Sequence, residues 1–246
     1  RRCGFLGREG GRVCAAPLPR ACPLWRNRAF PTDNLLGSAA MQTDFAEHLA
    51  AGLLVWWDQH GRKDLPWQQN PTPYRVWVSE VMLQQTQVMT VARYYDTFMQ
   101  VFPDVQSLAA ATADEVLHRW SGLGYYARAR NLHRAAQRVR DQHGGVVPTD
   151  FEALSALPGI GRSTAAAILA LSAHQHHAIL DGNVKRVLAR VFRIEGVPSE
   201  SAVQRELWML AERCAPAQRV AHYTQAIMDL GASVCARHKP ACRLCP

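Results

Sequence analysis

No apolar run in this 246-residue sequence is long enough to cross a membrane. The longest, roughly Thr164 to Ala173, falls far short of the ~20 residues a bilayer requires. No segment alternates apolar and polar residues convincingly, so half-buried strands are not expected. The seven cysteines show no paired framework: Cys3, Cys14 and Cys22 lack metal-ligand spacing, Cys214 stands apart, and Cys235, Cys242 and Cys245 fall in the last dozen positions. That distribution excludes the disulfide framework of a small secreted domain. With no signal-peptide core near Met41, a reducing, cytoplasmic location is expected.

Acidic residues are scarce at the N-terminus. Residues 1–40 hold seven arginines against Glu9 and Asp33, so +5 of the formal charge of +8 sits there and +3 remains for residues 41–246. Global charge therefore supports an anionic partner only weakly. The same stretch is rich in Gly and Pro and shows no period before about Phe45. It reads as a disordered or non-native extension, with Met41 as the expected start.

What is present is helical periodicity. Apolar residues recur at spacings of three and four at Phe45, Leu49, Leu53 and Trp56; at Leu132, Ala135, Ala136 and Val139; at Val184, Val187, Leu188 and Val191; and at Val203, Leu207, Leu210 and Ala211. Thr112-x-x-Glu115, Thr149-x-x-Glu152 and Ser201-x-x-Gln204 each have the pattern of a capping box. Gly and Pro breaks divide the chain into about nine or ten helices joined by short loops, an all-α fold. Gly122-Leu123-Gly124 and Gly159-Ile160-Gly161 both separate helical runs and read as tight helix-to-helix turns.

The second of these turns lies within Leu157-Pro158-Gly159-Ile160-Gly161-Arg162-Ser163-Thr164-Ala165. Glycines there permit positive φ and a close backbone approach, and the free N–H groups opening the next helix can hold a phosphate oxygen. Such contacts position a nucleic-acid backbone without reading its sequence. Downstream, Asp181 in Leu180-Asp181-Gly182-Asn183-Val184 sits where a helix begins, as an N-cap or as a carboxylate facing a developing cation. Glu80, within Val76-Trp77-Val78-Ser79-Glu80-Val81-Met82-Leu83-Gln84-Gln85-Thr86, is flanked by large apolar residues. Burial would raise its pKa and suit it to general-acid work, whereas an exposed helix position would leave it a surface charge. Arg130, Arg134 and Arg138 share one helical face, as a phosphate-binding stripe or a solvated one.

Five segments together, Leu65-Pro66-Trp67, Pro73 to Val88, Gly122-Leu123-Gly124-Tyr125-Tyr126-x-Arg128, the Gly159 hairpin and Leu180 to Val184, resemble the MutY-type adenine DNA glycosylases in order and spacing. The resemblance covers about residues 43–246. It implies a two-lobed helix-hairpin-helix fold: residues 69–173 as a six-helix domain with the hairpin, and residues 41–68 and 174–246 as a second helical lobe. It also implies a monomeric, nucleoid-associated base-excision enzyme acting on double-stranded DNA, removing adenine mispaired with 8-oxoguanine or guanine. Carried onto matching positions, Glu80 protonates the adenine and Asp181 stabilises the oxocarbenium-like sugar. Gln84, Gln85 and Tyr125 wedge into the duplex, and Gly159, Gly161, Ser163 and Lys185 line the DNA contact. Ser163 stands where the related endonuclease III enzymes carry a Schiff-base lysine, so base removal with little strand cleavage is expected, apart from adventitious trapping of the abasic sugar by Lys185. The rivals are an endonuclease III-like glycosylase/lyase and an inactive DNA-binding fragment.

By spacing alone, Cys235-x2-His238-x3-Cys242-x2-Cys245 suits zinc. The resemblance instead implies that Cys235, Cys242 and Cys245 are three of the four thiolates of a [4Fe–4S] cluster, in a loop that sets Arg237, Lys239 and Arg243 beside phosphates. The fourth ligand and the family's C-terminal Nudix-like domain have no counterpart in these 246 residues, and the chain is expected to be truncated.

Overall fold

The computed structural model describes the backbone from residue 39 onward and the side chains from residue 45 onward. The expectations for residues 1–38, including Cys3, Cys14 and Cys22, lie outside the described residues. No helix among the described residues is long and apolar enough to cross a membrane.

Eleven α-helices and two 3-10 turns, Pro66–Gln68 and Cys242–Leu244, make up the regular structure of the described residues, with no strand among them. The helices are α1 (Ala39–His60), α2 (Pro73–Leu83), α3 (Val88–Val101), α4 (Val105–Ala110), α5 (Ala113–Trp120), α6 (Ala127–His143), α7 (Phe151–Ser155), α8 (Arg162–Ala173), α9 (Gly182–Val191), α10 (Ser201–Cys214) and α11 (Val220–Ser233). The count exceeds the expected nine or ten because α4 and α7 are only six and five residues long. Helices that short leave almost no periodic signature.

Two hydrophobic cores organise these helices. One is built from α2 to α7 around fully buried Trp77, Trp120, Tyr95 and Phe98. The other joins α1 to α9, α10 and α11 around Leu53, Val187, Leu188, Leu207 and Ala226. Helix α8 belongs to both: Ala165, Ile168 and Leu169 face the first core, while Ala166 and Ala167 face the second. An alanine-rich helix can be clamped from two sides because its small side chains let neighbours approach from any direction. Along α1 the buried stripe is Ala46, Leu49, Ala50, Leu53 and Trp57 rather than one ending in Trp56, which is only half-buried.

Of the three expected capping boxes, Thr112–Glu115 forms, with Thr112 Oγ1 accepting from the Glu115 N–H and the Glu115 carboxylate accepting from the Thr112 N–H at 2.7 Å. The other two shift by one residue. Helix α7 is capped by Asp150, whose carboxylate accepts from the Ala153 N–H at 2.8 Å, and Ser201 is already the first residue of α10, with Glu200 at the cap and no side-chain cap bond. An aspartate next to a threonine wins the cap because its charge also meets the positive end of the helix dipole.

Candidate active site

Helix α2 starts at Pro73, with Thr72 Oγ1 accepting from the Arg75 N–H, and runs buried through Tyr74, Val76, Trp77, Val78, Ser79, Val81 and Met82. Glu80 is the one ionisable residue in this run past its first turn. Part of the residue keeps accessible surface, yet protein packed around its carboxyl raises the pKa to about 8. Desolvation is the larger cause and the negative charge of Asp181 the smaller; no described side chain or N–H donates to this carboxyl. Glu80 is therefore a protonated acid at neutral pH.

Asp181 opens α9 as its N-cap, with Oδ1 accepting from the Val184 N–H at 2.8 Å and Oδ2 from Asn183 Nδ2 at 3.2 Å. Burial pushes its pKa up, opposed by the donors of Val184 and Asn183 and by the charge of Arg186. Both carboxyls are thus raised, but only Asp181 has partners that favour its anion. The charge of Asp181 is itself a cause of the raised Glu80 pKa, so Glu80 is the member of the pair pushed toward keeping a proton, an arrangement that suits one site to supply both an acid and a carboxylate.

The first turn of α8 sets the spacing between them. Ser163 Oγ accepts from the Leu180 N–H at 2.9 Å, one residue before Asp181, and the neighbouring Thr164 Oγ1 accepts from Gln84 Nε2 at 3.4 Å, one turn beyond Glu80. The expected role of Ser163 at the ligand surface is joined here by one the sequence did not show: it ties the hairpin helix to the segment carrying Asp181. A hydrogen bond across seventeen residues leaves no mark in a local motif.

In the hairpin, Gly159 has φ +80° and a Cβ there would lie 2.8 Å from Asn131 Cβ on α6, so bare backbone is required. Gly161 differs from expectation: it is the N-cap of α8 at φ −93°, with open space where its Cβ would be. The N–H groups of the first turn of α8 point toward this end and suit an anion. Lys185 sits half-buried in the first turn of α9. Arg130, Arg134 and Arg138 are exposed on α6; Arg134 donates to Asn131 Oδ1 at 2.5 Å and Arg138 to the Ala156 carbonyl at 3.3 Å, which lays the stripe beside the hairpin.

Beyond Glu80, the chain leaves α2 through Gln84 to Thr86. Gln84 turns inward to Thr164, whereas Gln85 is exposed at φ +58°. Opposite lies the turn Gly122 to Tyr125, where Tyr125 is 60% exposed at φ +49°, which rules out core packing for this ring. Between the two loops is a cleft of about 330 Å³ lined by Gln84, Gln85, Tyr125, Tyr126, Ala127 and Arg128. Arg128, which closes the Gly122–Arg128 motif but had no role assigned from sequence, is 8% exposed beneath it.

Cys214, Cys235 and Cys245 border the second core. Cys214 closes α10 fully buried, and burial pushes its thiol up to about 12, in keeping with a helix-end residue. Cys235 and Cys245 pack against the second core, and Arg190 donates to Cys235 Sγ at 3.3 Å. Arg186 links the Cys235 carbonyl at 2.8 Å to Asn183 Oδ1 at 2.8 Å, beside Asp181. Among the described residues no group of three His, Cys, Asp or Glu side chains converges to hold a metal ion, with or without His238. The thiols have the donor chemistry for iron or zinc, but this arrangement is not a closed ligand set, and no chemical step is assigned to a metal.

Comparison with known proteins places this geometry in context. The family described as "HhH-GPD superfamily base excision DNA repair protein" matches residues 78–213. The adenine DNA glycosylase of Buchnera aphidicola subsp. Acyrthosiphon pisum (strain APS) is 46% identical over 194 residues, covering 79% of this chain and 55% of that protein. The adenine DNA glycosylase of Homo sapiens is 45% identical over 214 residues, covering 82% of this chain and 39% of that one. The chain thus spans about half the length, or less, of the curated relatives it matches. Among solved structures, a thermostable thymine-DNA glycosylase superposes with a TM-score of 0.74 at 27% identity, covering 85% of this chain and 94% of that chain. A non-covalent endonuclease III–DNA complex, at TM-score 0.71, 19% identity and 83% and 92% coverage, shares the fold.

Proposed function

The chain belongs to the HhH-GPD superfamily of base excision DNA repair proteins, and on that premise we propose that it binds double-stranded DNA and hydrolyses the N-glycosidic bond of adenine mispaired with 8-oxoguanine or guanine. The observation that carries the reading is the pair of desolvated carboxyls in unlike settings, Glu80 without a donor and Asp181 held by the Val184 N–H and the Asn183 amide. Adenine departs poorly as an anion. A proton from Glu80 to a ring nitrogen of the base makes it a neutral leaving group, and fixed charge on Asp181 stabilises the cationic sugar as the bond opens. Water completes the hydrolysis at the sugar carbon.

For that chemistry the nucleotide must leave the stack, at a cost of a few kcal/mol. Gln85 and Tyr125, projecting on either side of the cleft, suit insertion into the gap left behind, with Gln84 beside them. The hairpin N–H groups around Gly159, Gly161 and Ser163, together with Lys185 and the α6 arginines, suit phosphates. Residue 163 offers no amine, and its hydroxyl already accepts from Leu180, so base release without strand cleavage follows. Cys235, Cys242 and Cys245 serve as thiolate ligands of an iron-sulfur cluster in this reading; iron and acid-labile sulfide analysis of the purified protein tests it.

The activity is tested by single-turnover adenine release from a duplex with adenine opposite 8-oxoguanine, developed with and without alkali. Product that appears only after alkali, and falls by about 10³-fold in Glu80→Gln with DNA affinity retained, is the expected result. Nicking without alkali would replace the reading with a glycosylase/lyase, and no product from the parent would remove it.

A further inference from the structure

Arg128 is a buried cation with no carboxylate among its hydrogen-bond partners. Nη1 donates to the carbonyls of Val81 at 3.0 Å, Met82 at 2.6 Å and Gln84; Nη2 donates to Thr86 Oγ1 at 2.9 Å and to the carbonyls of Leu123 at 3.3 Å and Gly124 at 3.1 Å. The guanidinium also lies 5.4 Å from the ring centroids of both Trp120 and Tyr125. These partners fall in two groups: the last turn of α2 with the loop that follows it, and the glycine turn after α5. Carbonyls ending a helix have no partner within it and carry the negative end of its dipole, so a cation meets them favourably.

Each of the two groups it joins adjoins a strained residue. Gln85 at φ +58° and Tyr125 at φ +49° are non-glycine residues in the left-handed region, and Gly122 and Gly124 flank the second loop at +99° and +72°. Such conformations persist only where surrounding structure holds them. The planar fork of Arg128 is the right shape to do so, because Nη1 meets the carbonyls at the end of α2 while Nη2 spans Thr86 on one loop and the Leu123 and Gly124 carbonyls on the other.

We propose that Arg128 is a positioning residue that locks the Gln84–Thr86 and Leu123–Tyr125 loops into a single edge, so that Gln85 and Tyr125 enter a duplex together and the target base leaves the stack. The proposal rests on the glycosylase reading and adds a division to it: Arg128 governs base extrusion and leaves bond cleavage to Glu80 and Asp181. Lysine at this position keeps the charge but, as a compact ammonium, can serve the carbonyls of one loop only.

The test uses Arg128→Lys and, as a milder change at the core's edge, Thr86→Val. Extrusion is read from the fluorescence rise of 2-aminopurine placed beside the mispaired adenine, and cleavage from single-turnover release. Release is also measured from adenine opposite an abasic site, where stacking is already broken. Arg128→Lys is expected to lose most of the fluorescence rise and to slow release from the mispair about 30-fold, the loss of one or two charge-assisted hydrogen bonds. Opposite the abasic site the slowing should stay below about threefold, with the alkaline limb of the pH profile unmoved. Thr86→Val should fall between Arg128→Lys and the parent. Equal slowing on both substrates, or an undiminished fluorescence rise, would overturn the proposal in favour of a purely structural arginine. A parent that shows the rise without release would remove the glycosylase reading while the fluorescence comparison still decides the role of Arg128; a parent that shows neither would remove both.

Discussion

The end of α2 and the start of α9 present the same functional group in opposite electrostatic settings. At Glu80 the carboxyl is desolvated by burial and receives no donor, and its pKa rises to about 8. At Asp181 burial is offset by the Val184 N–H, the Asn183 amide and the charge of Arg186. The contrast shows how two buried carboxyls become an acid and an anion: position within a helix decides it. Glu80 sits in the last turn of α2, where every backbone N–H is already spent on the helix itself, whereas Asp181 sits at an N-terminus, where N–H groups are free.

The largest test of that contrast exchanges the anion for its amide. Asp181→Asn keeps a good N-cap, so the fold should survive, while base release falls by about 10²- to 10³-fold for want of the charge. Removing that charge also removes one cause of the raised Glu80 pKa. The alkaline limb, near pH 8 in the parent, should therefore move to lower pH in the residual rate; a limb that stays put would show that the two groups are not coupled.

A smaller effect is expected in stability. The folded Glu80 pKa lies above the ordinary value of 4.5, so between about pH 4.5 and 8 the native state holds a proton the unfolded chain has lost, and stability falls as pH rises through that window. Glu80→Gln removes this dependence. Its advantage over the parent should be absent near pH 4 and reach on the order of 3 kcal/mol by pH 9, allowing for the residue's partial exposure. Chemical denaturation across that range measures it, and parallel curves for the two proteins would contradict the burial of this carboxyl.

The smallest expected effect separates the two glycines of the hairpin that carries Ser163 and Thr164 between the carboxyls. Gly159→Ala must hold φ +80° against Asn131 and should cost about 2 kcal/mol. Gly161→Ala, at an N-cap with open space, should cost well under about 1 kcal/mol. Similar losses at both would mean that the second glycine is constrained by something other than its backbone.

These contrasts also mark how far the sequence could be read. The all-helical architecture was legible because amphipathic periodicity is local; apolar flanks and a helix start marked Glu80 and Asp181 only as candidates, each with a plain surface or N-cap alternative, and it was the resemblance that gave them roles. Periodicity misplaced the α1 stripe by one residue, at Trp56 for Trp57, since two adjacent tryptophans are equally apolar and only the partner helices choose between them. Asp150 was overlooked as the α7 cap because Thr149 supplied an acceptable pattern one residue earlier. Nothing local marked Ser163 as a clamp on Leu180 or Arg128 as a bridge between loops, for their partners are remote in sequence.

By itself, then, the sequence determined the kinds of groups present and the helices that carry them: an apolar-flanked glutamate, a capping aspartate, a glycine hairpin, and cysteines spaced as metal ligands. Tertiary structure alone decided which carboxyl keeps its proton, which hydroxyl is spent on the fold, and which arginine is buried without a counter-ion. The reason is physical. Periodicity, caps and turns depend on neighbours along the chain, but desolvation, charge coupling and the satisfaction of buried donors depend on neighbours in space, and those exist only once α8 has brought the two cores together.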